Sequence, residues 1–192
     1  LGSVRLSLPG RHNVANALAV AAMARSAGLE DEAILAGLAD FQGAGRRMTL
    51  RAEINGVKVI DDYGHHPTEI RTTLAAIRDK YHPRRLWCVF QPHQYSRTRF
   101  LLDEFALSFS LADVVLLPEI YFVRDSEALR REVNAERLAE KICGQGGDAR
   151  YLGEFEAIVS HLVGKTEPGD VVVTMGAGDV WKVADEYIRR FG

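Results

Sequence analysis

Val57-Lys58-Val59-Ile60-Asp61-Asp62-Tyr63-Gly64-His65-His66-Pro67-Thr68-Glu69 runs from an apolar, β-branched segment into the start of a helical pattern. Two acids, a tyrosine, a glycine and two histidines thus stand where a strand ends and a helix begins. In open α/β sheets that is where ligands bind. Pro67 suits a first helical position, where its missing N–H would have had no partner. Any one of these residues could be an ordinary turn or cap feature; the whole group, repeated in kind at other strand ends, points to a site.

Just upstream, Asn55-Gly56 separates residues 48–54 from 57–62, a strong short-range hairpin signal. Downstream, helical and strand patterns alternate. Helix 67–80 leads to strand 86–91, helix 97–110 to strand 113–117, helix 134–143 to strand 149–152, and helix 154–163 to strand 170–175, with a last helix over 179–190. Short, continuously apolar strands between amphipathic helices predict a parallel sheet covered on both faces. The expected fold class is therefore α/β: a Rossmann-like, doubly wound, mostly parallel sheet with one antiparallel hairpin strand. Such a scaffold does not by itself give function.

Before the hairpin, residues 3–8 alternate as a half-buried strand would, and Pro9-Gly10 breaks them. An Ala-rich helix is expected from Asn13 to Ala27, with Gly28 as its cap, and a second helix from Glu30 to Ala39. The glycine-rich connector Phe41-Gln42-Gly43-Ala44-Gly45-Arg46-Arg47 marks a domain boundary, giving domains 1–43 and 44–192. The chain opens on Leu1 in an already strand-like segment, as expected of a fragment.

The chain has 192 residues, 47% hydrophobic and 26% charged, with a formal net charge of −2. That is ordinary for a globular protein able to bury a core. The charge gives no global basic field for nucleic acid. No apolar run reaches the length of a membrane span, and no signal-peptide pattern is seen in these residues, so neither is expected. Cys88, in an apolar strand, and Cys143, near a helix end, read as reduced thiols of a cytosolic protein.

On the strand-end rim four segments converge: 61–66, 91–99 (Gln-Pro-His-Gln-Tyr-Ser-Arg-Thr-Arg), 118–121 (Pro-Glu-Ile-Tyr) and 176–179 (Gly-Ala-Gly-Asp). Arg97 and Arg99 are read as beginning a helix, whose free N–H groups and dipole favour an anion. Arginine there adds planar recognition of a carboxylate or phosphate. Arg97, with His93 and Tyr95 beside it, is the stronger candidate, while Ser96 can serve simply as the N-cap. Gly176-Ala177-Gly178 begins like a dinucleotide fingerprint, but Trp181 replaces the third glycine; a tight turn with Asp179 as N-cap explains it equally well. Gly164-Lys165-Thr166 is no P-loop, since Val159 stands where the leading glycine belongs. His65 and His66, adjacent and without a spaced third ligand, do not make a zinc site; no metal ligands are assigned. The charged stretch 121–133, with Arg124, Asp125, Glu127, Arg130, Arg131 and Glu132, reads as an ordered lid or a solvated loop, and charge runs of this kind favour the solvated loop.

Taken in order, Leu8-Pro9-Gly10-x-His12-Asn13-x-x-Asn16, Phe41-x-Gly43-x-x-Arg46-Arg47, Asp61 to Glu69, Phe90-Gln91-Pro92-His93-x-Tyr95-Ser96-Arg97-Thr98-Arg99 and Gly176-Ala177-Gly178-Asp179 resemble the Mur ligase family over essentially the whole chain. The resemblance implies a cytoplasmic bacterial enzyme of peptidoglycan precursor synthesis, of the kind that joins L-alanine to the lactyl carboxylate of UDP-N-acetylmuramate. ATP would first phosphorylate that carboxylate, and the alanine amine would then displace phosphate. It implies ATP and Mg²⁺ as cofactors, with most Mg²⁺ ligands in a missing domain. It also implies that residues 1–43 end a central ATP-binding domain.

Position by position, His12, Asn13 and Asn16 would lie near the adenine. Arg47, together with Arg46, would reach the phosphates, and Asp62 the ribose. Tyr63, His65 and His93 would line the reacting centre, Arg97 would grip the alanine carboxylate, and Arg99 lies beside it. His65, His93 and Arg47 are the catalytic candidates. A second arginine frequent in the family is Gln94 here, which leaves the clamp to Arg97. The family's N-terminal UDP-binding domain and its P-loop have no counterpart in these residues, so the piece is expected to fold but not to ligate alone. A ligase that instead attaches a tripeptide in cell-wall recycling, and a non-catalytic nucleotide-binding module, are the competing readings; a dehydrogenase suffers from the broken glycine fingerprint.

Overall fold

The computed structural model describes residues 2–43, 45–123, 125 and 129–192. They form two compact units, Leu1–Gly45 and Arg46–Gly192.

The first unit holds α1 (Arg11–Ser26) and α2 (Asp31–Asp40). Gly28, at φ +85° just past the end of α1, turns the chain toward α2; the cap position itself is Ala27. Ala21 and Ile34 are buried, while Val14, Leu18 and Met23 along α1 are exposed. The strand expected over residues 3–8 does not form. An alternating segment becomes a strand only where it has an edge to pair with, and no described strand of this unit offers one.

The second unit is a six-stranded sheet in the order β1-β2-β6-β3-β4-β5. The strands are β1 (Thr49–Ile54), β2 (Val57–Asp62), β3 (Leu86–Phe90), β4 (Val114–Pro118), β5 (Ala149–Gly153) and β6 (Val171–Met175). β1 pairs antiparallel to β2, and all other pairs are parallel. Asn55 (φ +50°) and Gly56 (φ +76°) make the hairpin turn with both central residues left-handed, as a two-residue type I′ connection requires.

Alternation along the buried strands supplies two cores. Leu86, Cys88 and Phe90 face one side with α3 (Pro67–Tyr81), α5 (Leu102–Leu107) and α6 (Ala135–Gly144). Trp87 and Val89 face the other with α7 (Phe155–Val163) and α8 (Trp181–Phe191). The chain thus winds outward from β2 to β5 across one face and returns by α7 to insert β6 between β2 and β3. That reversal is the switch point at which such sheets open a crevice. Asp62 pairs with Met175, and Met175 with Phe90. Tyr63, Gly176 and Gln91 therefore leave the sheet side by side.

The expected helix 97–110 is two pieces, α4 (Tyr95–Phe100) and α5, divided at Leu101 (φ −105°, ψ 19°). Arg97 and Arg99 consequently lie inside α4 instead of starting it, and Gln94 (φ +69°), not Ser96, is its N-cap. Nor does Asp179 cap α8: Val180 holds that position, and the Asp179 carboxylate is drawn to Gln91 and Lys182. The charged stretch 121–133 lies partly outside the described residues, at 124 and 126–128. Its described part includes a single 3₁₀ turn at Leu129–Arg131. Among the described residues no helix is long and apolar enough to cross a membrane.

Candidate functional site

The ends of β2, β6 and β3 build the site. Asp61 is fully buried and accepts from Thr174 Oγ1 (2.8 Å) and Arg46 Nε (2.8 Å). Arg46 also donates to the carbonyls of Gly178 (3.0 Å) and Gly176 (2.8 Å), so its guanidinium is taken up in fastening the connector to two strand ends. Asp62, next along, is nearly as buried. Its carboxylate accepts from the N–H of Gly64 (2.6 Å) and of Met48 (2.8 Å). Burial pushes its carboxyl above the ordinary range, against those two N–H groups and the charge of Arg47. Gly64 is required here, because a Cβ would lie 2.7 Å from Asp62 Oδ1.

After this turn Pro67 opens α3, and His66 caps it by accepting from the Thr68 N–H (3.3 Å). Glu69 answers by accepting from the N–H of His65 (2.8 Å) and His66 (3.1 Å), a reciprocal capping arrangement. Burial alone would raise the Glu69 carboxyl; these hydrogen bonds and the charges of His65 and Arg47 hold it below its ordinary value.

Four rings then run across the rim. Tyr63 meets His65 edge-on at 5.4 Å, His65 lies 6.1 Å from His93, and His93 stacks on Tyr121 at 5.5 Å with 15° between planes. His65 Nδ1 lies 3.1 Å from the Tyr63 carbonyl. At the Tyr63 end the guanidinium carbons of Arg46 and Arg47 stand 5.3 and 5.7 Å from its ring centroid. Arg47 also pairs with Glu69 at 3.7 Å and is half exposed.

Close to His93 is Arg97, whose charge acts on the imidazole. Its Nη1 is buried and has no hydrogen-bond partner among the described residues; the same is true of His93 Nδ1. A buried guanidinium N–H without an acceptor is costly, and the economical explanation is an anion that completes it. Burial, and then the positive charge of Arg97, hold the His93 imidazole below its ordinary value. His93 is therefore neutral near pH 7 and able to accept a proton. Arg99, by contrast, is turned outward into an ion pair with Glu132 at 2.8 Å.

Two residues in this architecture escape a reading by spacing. Gln91 donates to Asp179 Oδ1 (3.2 Å) and accepts from the Asp179 N–H (3.1 Å), fixing the glycine turn after β6. Glu119 gathers the hydroxyls of Tyr95 and Tyr151. The available signal was the same for both: a polar residue directly following an all-apolar strand. In the first unit, Asn13 Nδ2 donates to the Pro9 carbonyl (2.7 Å), His12 Nδ1 is buried without a partner among the described residues, and Asn16 lines a small cleft with Leu8 and Phe41.

The switch point of this doubly wound sheet thus carries Arg46 and Arg47 at the Tyr63 end of the ring row and Arg97 close to His93, cationic groups suited to an anion. Residues 46–178 match the family model described as Mur ligase, glutamate ligase domain, and the chain belongs to that family. It is 46% identical over 97% of its length to the UDP-N-acetylmuramate–L-alanine ligase of Acetivibrio thermocellus, and 46% over 99% to that of Geobacter sulfurreducens. It spans 39% and 41% of those two relatives. Among solved structures it resembles a UDP-N-acetylmuramate–alanine ligase from Thermotoga maritima (TM-score 0.79, 26% identity, all of this chain and 40% of that one). It also resembles a murein peptide ligase from Psychrobacter arcticus (TM-score 0.77, 30% identity, 98% of this chain and 38% of that one).

Proposed function

We propose that this chain is the C-terminal part of an ATP-dependent ligase that joins L-alanine to UDP-N-acetylmuramate through an acyl phosphate, in the cytoplasmic synthesis of peptidoglycan precursors. The observation that carries the reading is the buried Nη1 of Arg97 beside the Nδ1 of His93, neither of which has a hydrogen-bond partner among the described residues. An amino acid presents a carboxylate for the first and an ammonium proton for the second. Gripping the carboxylate holds the amine close to its electrophile and removes much of the entropic barrier of a bimolecular step.

In this reading the sugar carboxylate becomes reactive when ATP transfers its γ-phosphoryl group to it. The alanine ammonium, hydrogen-bonded to neutral His93, loses its proton to water, and the free amine attacks the carbonyl carbon as phosphate departs. Arg47, half exposed at the far end of the ring row, is placed to meet phosphate charge. Tyr63 and His65 line the space between the two arginines. Arg46 and Asp62 then contribute by shaping the connector and the turn, since their polar atoms already have partners within the fold. His12, Asn13 and Asn16 are assigned to the adenine, with residues 1–43 as the end of the ATP-binding domain and 44–192 as the ligase domain. The exposed apolar residues of α1 suit that assignment. Phosphoryl transfer of this kind ordinarily uses Mg²⁺, but among the described residues no group of three His, Cys, Asp or Glu side chains could hold a metal ion, and no step here is routed through one.

The relative named as a murein peptide ligase makes a tripeptide acceptor the second reading; the relatives at 46% identity over 97% and 99% of this chain, both named as alanine ligases, support alanine. The test is phosphate release by the full-length enzyme with UDP-N-acetylmuramate and ATP, offered L-alanine or tripeptide. Turnover with alanine is expected. Turnover with tripeptide alone would transfer the chain to recycling, and turnover with neither would remove the ligase reading. The 192 residues by themselves are expected to be inactive.

A further inference from the structure

Arg97 is the third residue of a helix only six residues long, too short to hold its direction unaided. What holds it is the segment leaving β4. The Tyr121 N–H donates to the Pro92 carbonyl (2.8 Å), and the Gln94 N–H donates to the Tyr121 carbonyl (3.1 Å). The Ser96 N–H donates to Asp125 Oδ2 (3.1 Å), and Tyr121 stacks on His93. At the base is Glu119. Its Oε1 accepts from the Tyr95 hydroxyl (3.3 Å) and from the Ile120 N–H (2.9 Å), and its Oε2 accepts from the Tyr151 hydroxyl (3.0 Å). Tyr95, the first residue of α4, is 1% exposed, and the Arg130 guanidinium also reaches its hydroxyl. One carboxylate thus ties the start of the arginine-bearing helix to the ends of β4 and β5.

We propose that Glu119 is a positioning residue for the amino-acid clamp: by holding the Tyr95 hydroxyl and the Ile120 N–H it fixes the first turn of α4 and, with it, the direction of Arg97. The proposal rests on reading Arg97 as the carboxylate clamp. Glu119 touches no substrate, so its removal acts on one substrate only. A structural role alone would lower stability and affect all substrates alike.

The experiment is steady-state kinetics of the full-length enzyme, varying L-alanine, ATP and UDP-N-acetylmuramate separately, for wild type, Arg97→Ala, Glu119→Ala, Glu119→Gln, Tyr95→Phe and Tyr151→Phe. Loss of a buried hydrogen bond of this kind corresponds to roughly a fivefold effect. Tyr95→Phe is therefore expected to raise the KM for L-alanine about fivefold, and Glu119→Ala about tenfold or more, with the other two KM values within twofold. Glu119→Gln, which keeps an acceptor for Ile120 and Tyr95, is expected to recover most of the loss, and Tyr151→Phe to be close to wild type. If Arg97→Ala raises the KM for alanine but Tyr95→Phe and Glu119→Ala do not, or if they raise all three KM values equally, the positioning role is overturned while the clamp stands. If Arg97→Ala itself leaves alanine untouched, the underlying reading fails first.

Discussion

Arg46 donates from Nε to the fully buried Asp61 at 2.8 Å while its two terminal nitrogens close onto the Gly178 and Gly176 carbonyls. One side chain thereby binds the connector to β2 and to the turn after β6. Removing it strands a buried carboxylate, and breaking a buried pair from one side costs about 3 kcal/mol or more. Arg46→Ala should lower the stability of the 46–192 unit by about that much in urea unfolding. Arg46→Lys should recover less than half, because an ammonium cannot reproduce the fork. A variant as stable as wild type would show that the clamp contributes little.

Glu69 gives a pH-dependent contribution of defined sign. Its folded carboxyl titrates below the ordinary 4.5, so the stabilisation is present above pH 4.5 and is lost as pH falls through the lower folded value. Glu69→Gln should be less stable than wild type at pH 7, and the gap should narrow in acid. Urea midpoints at pH 7 and near pH 3 check this. A constant gap would mean that Glu69 acts through packing alone.

His93 should titrate below 6.5 in the free protein, held there first by burial and second by Arg97. In Arg97→Ala its midpoint, followed by the imidazole proton resonances, should rise yet stay below 6.5, since the larger cause remains. No movement at all would separate the two groups electrostatically.

Two glycines differ sharply. A Cβ at Gly178 would lie 2.5 Å from Gln91 Oε1 and 2.8 Å from the Tyr121 ring, whereas one at Gly37, within α2, meets nothing within 4 Å. Gly178→Ala should cost about 1–3 kcal/mol through overpacking. Gly37→Ala should stabilise the first unit by about 0.5–1 kcal/mol through helix propensity. Chemical denaturation of each variant measures both.

The sheet was legible because its signals are local. Asn55-Gly56 specifies a hairpin, and five-residue apolar runs specify buried strands. The rim was legible because parallel topology collects strand ends. Three features were not. Residues 3–8 alternate, yet pairing depends on an edge that spacing cannot supply. The break at Leu101 carries no glycine or proline. The carbonyl partners of Arg46, 130 and 132 residues away along the chain, and the hydroxyl partners of Glu119, 24 and 32 residues away, are set by sheet order and register. For that reason Arg46 read as a phosphate ligand is found bound within the fold, and Glu119 drew no role.

The most direct test of the central claim is the L-alanine dependence of phosphate release by the full-length enzyme with Arg97→Ala. Loss of a charge-assisted hydrogen bond to a carboxylate predicts a KM for L-alanine raised at least about tenfold, with the KM for ATP within twofold of wild type. An unchanged KM for alanine, or an equal rise for every substrate, would contradict the assignment of Arg97 as the amino-acid clamp.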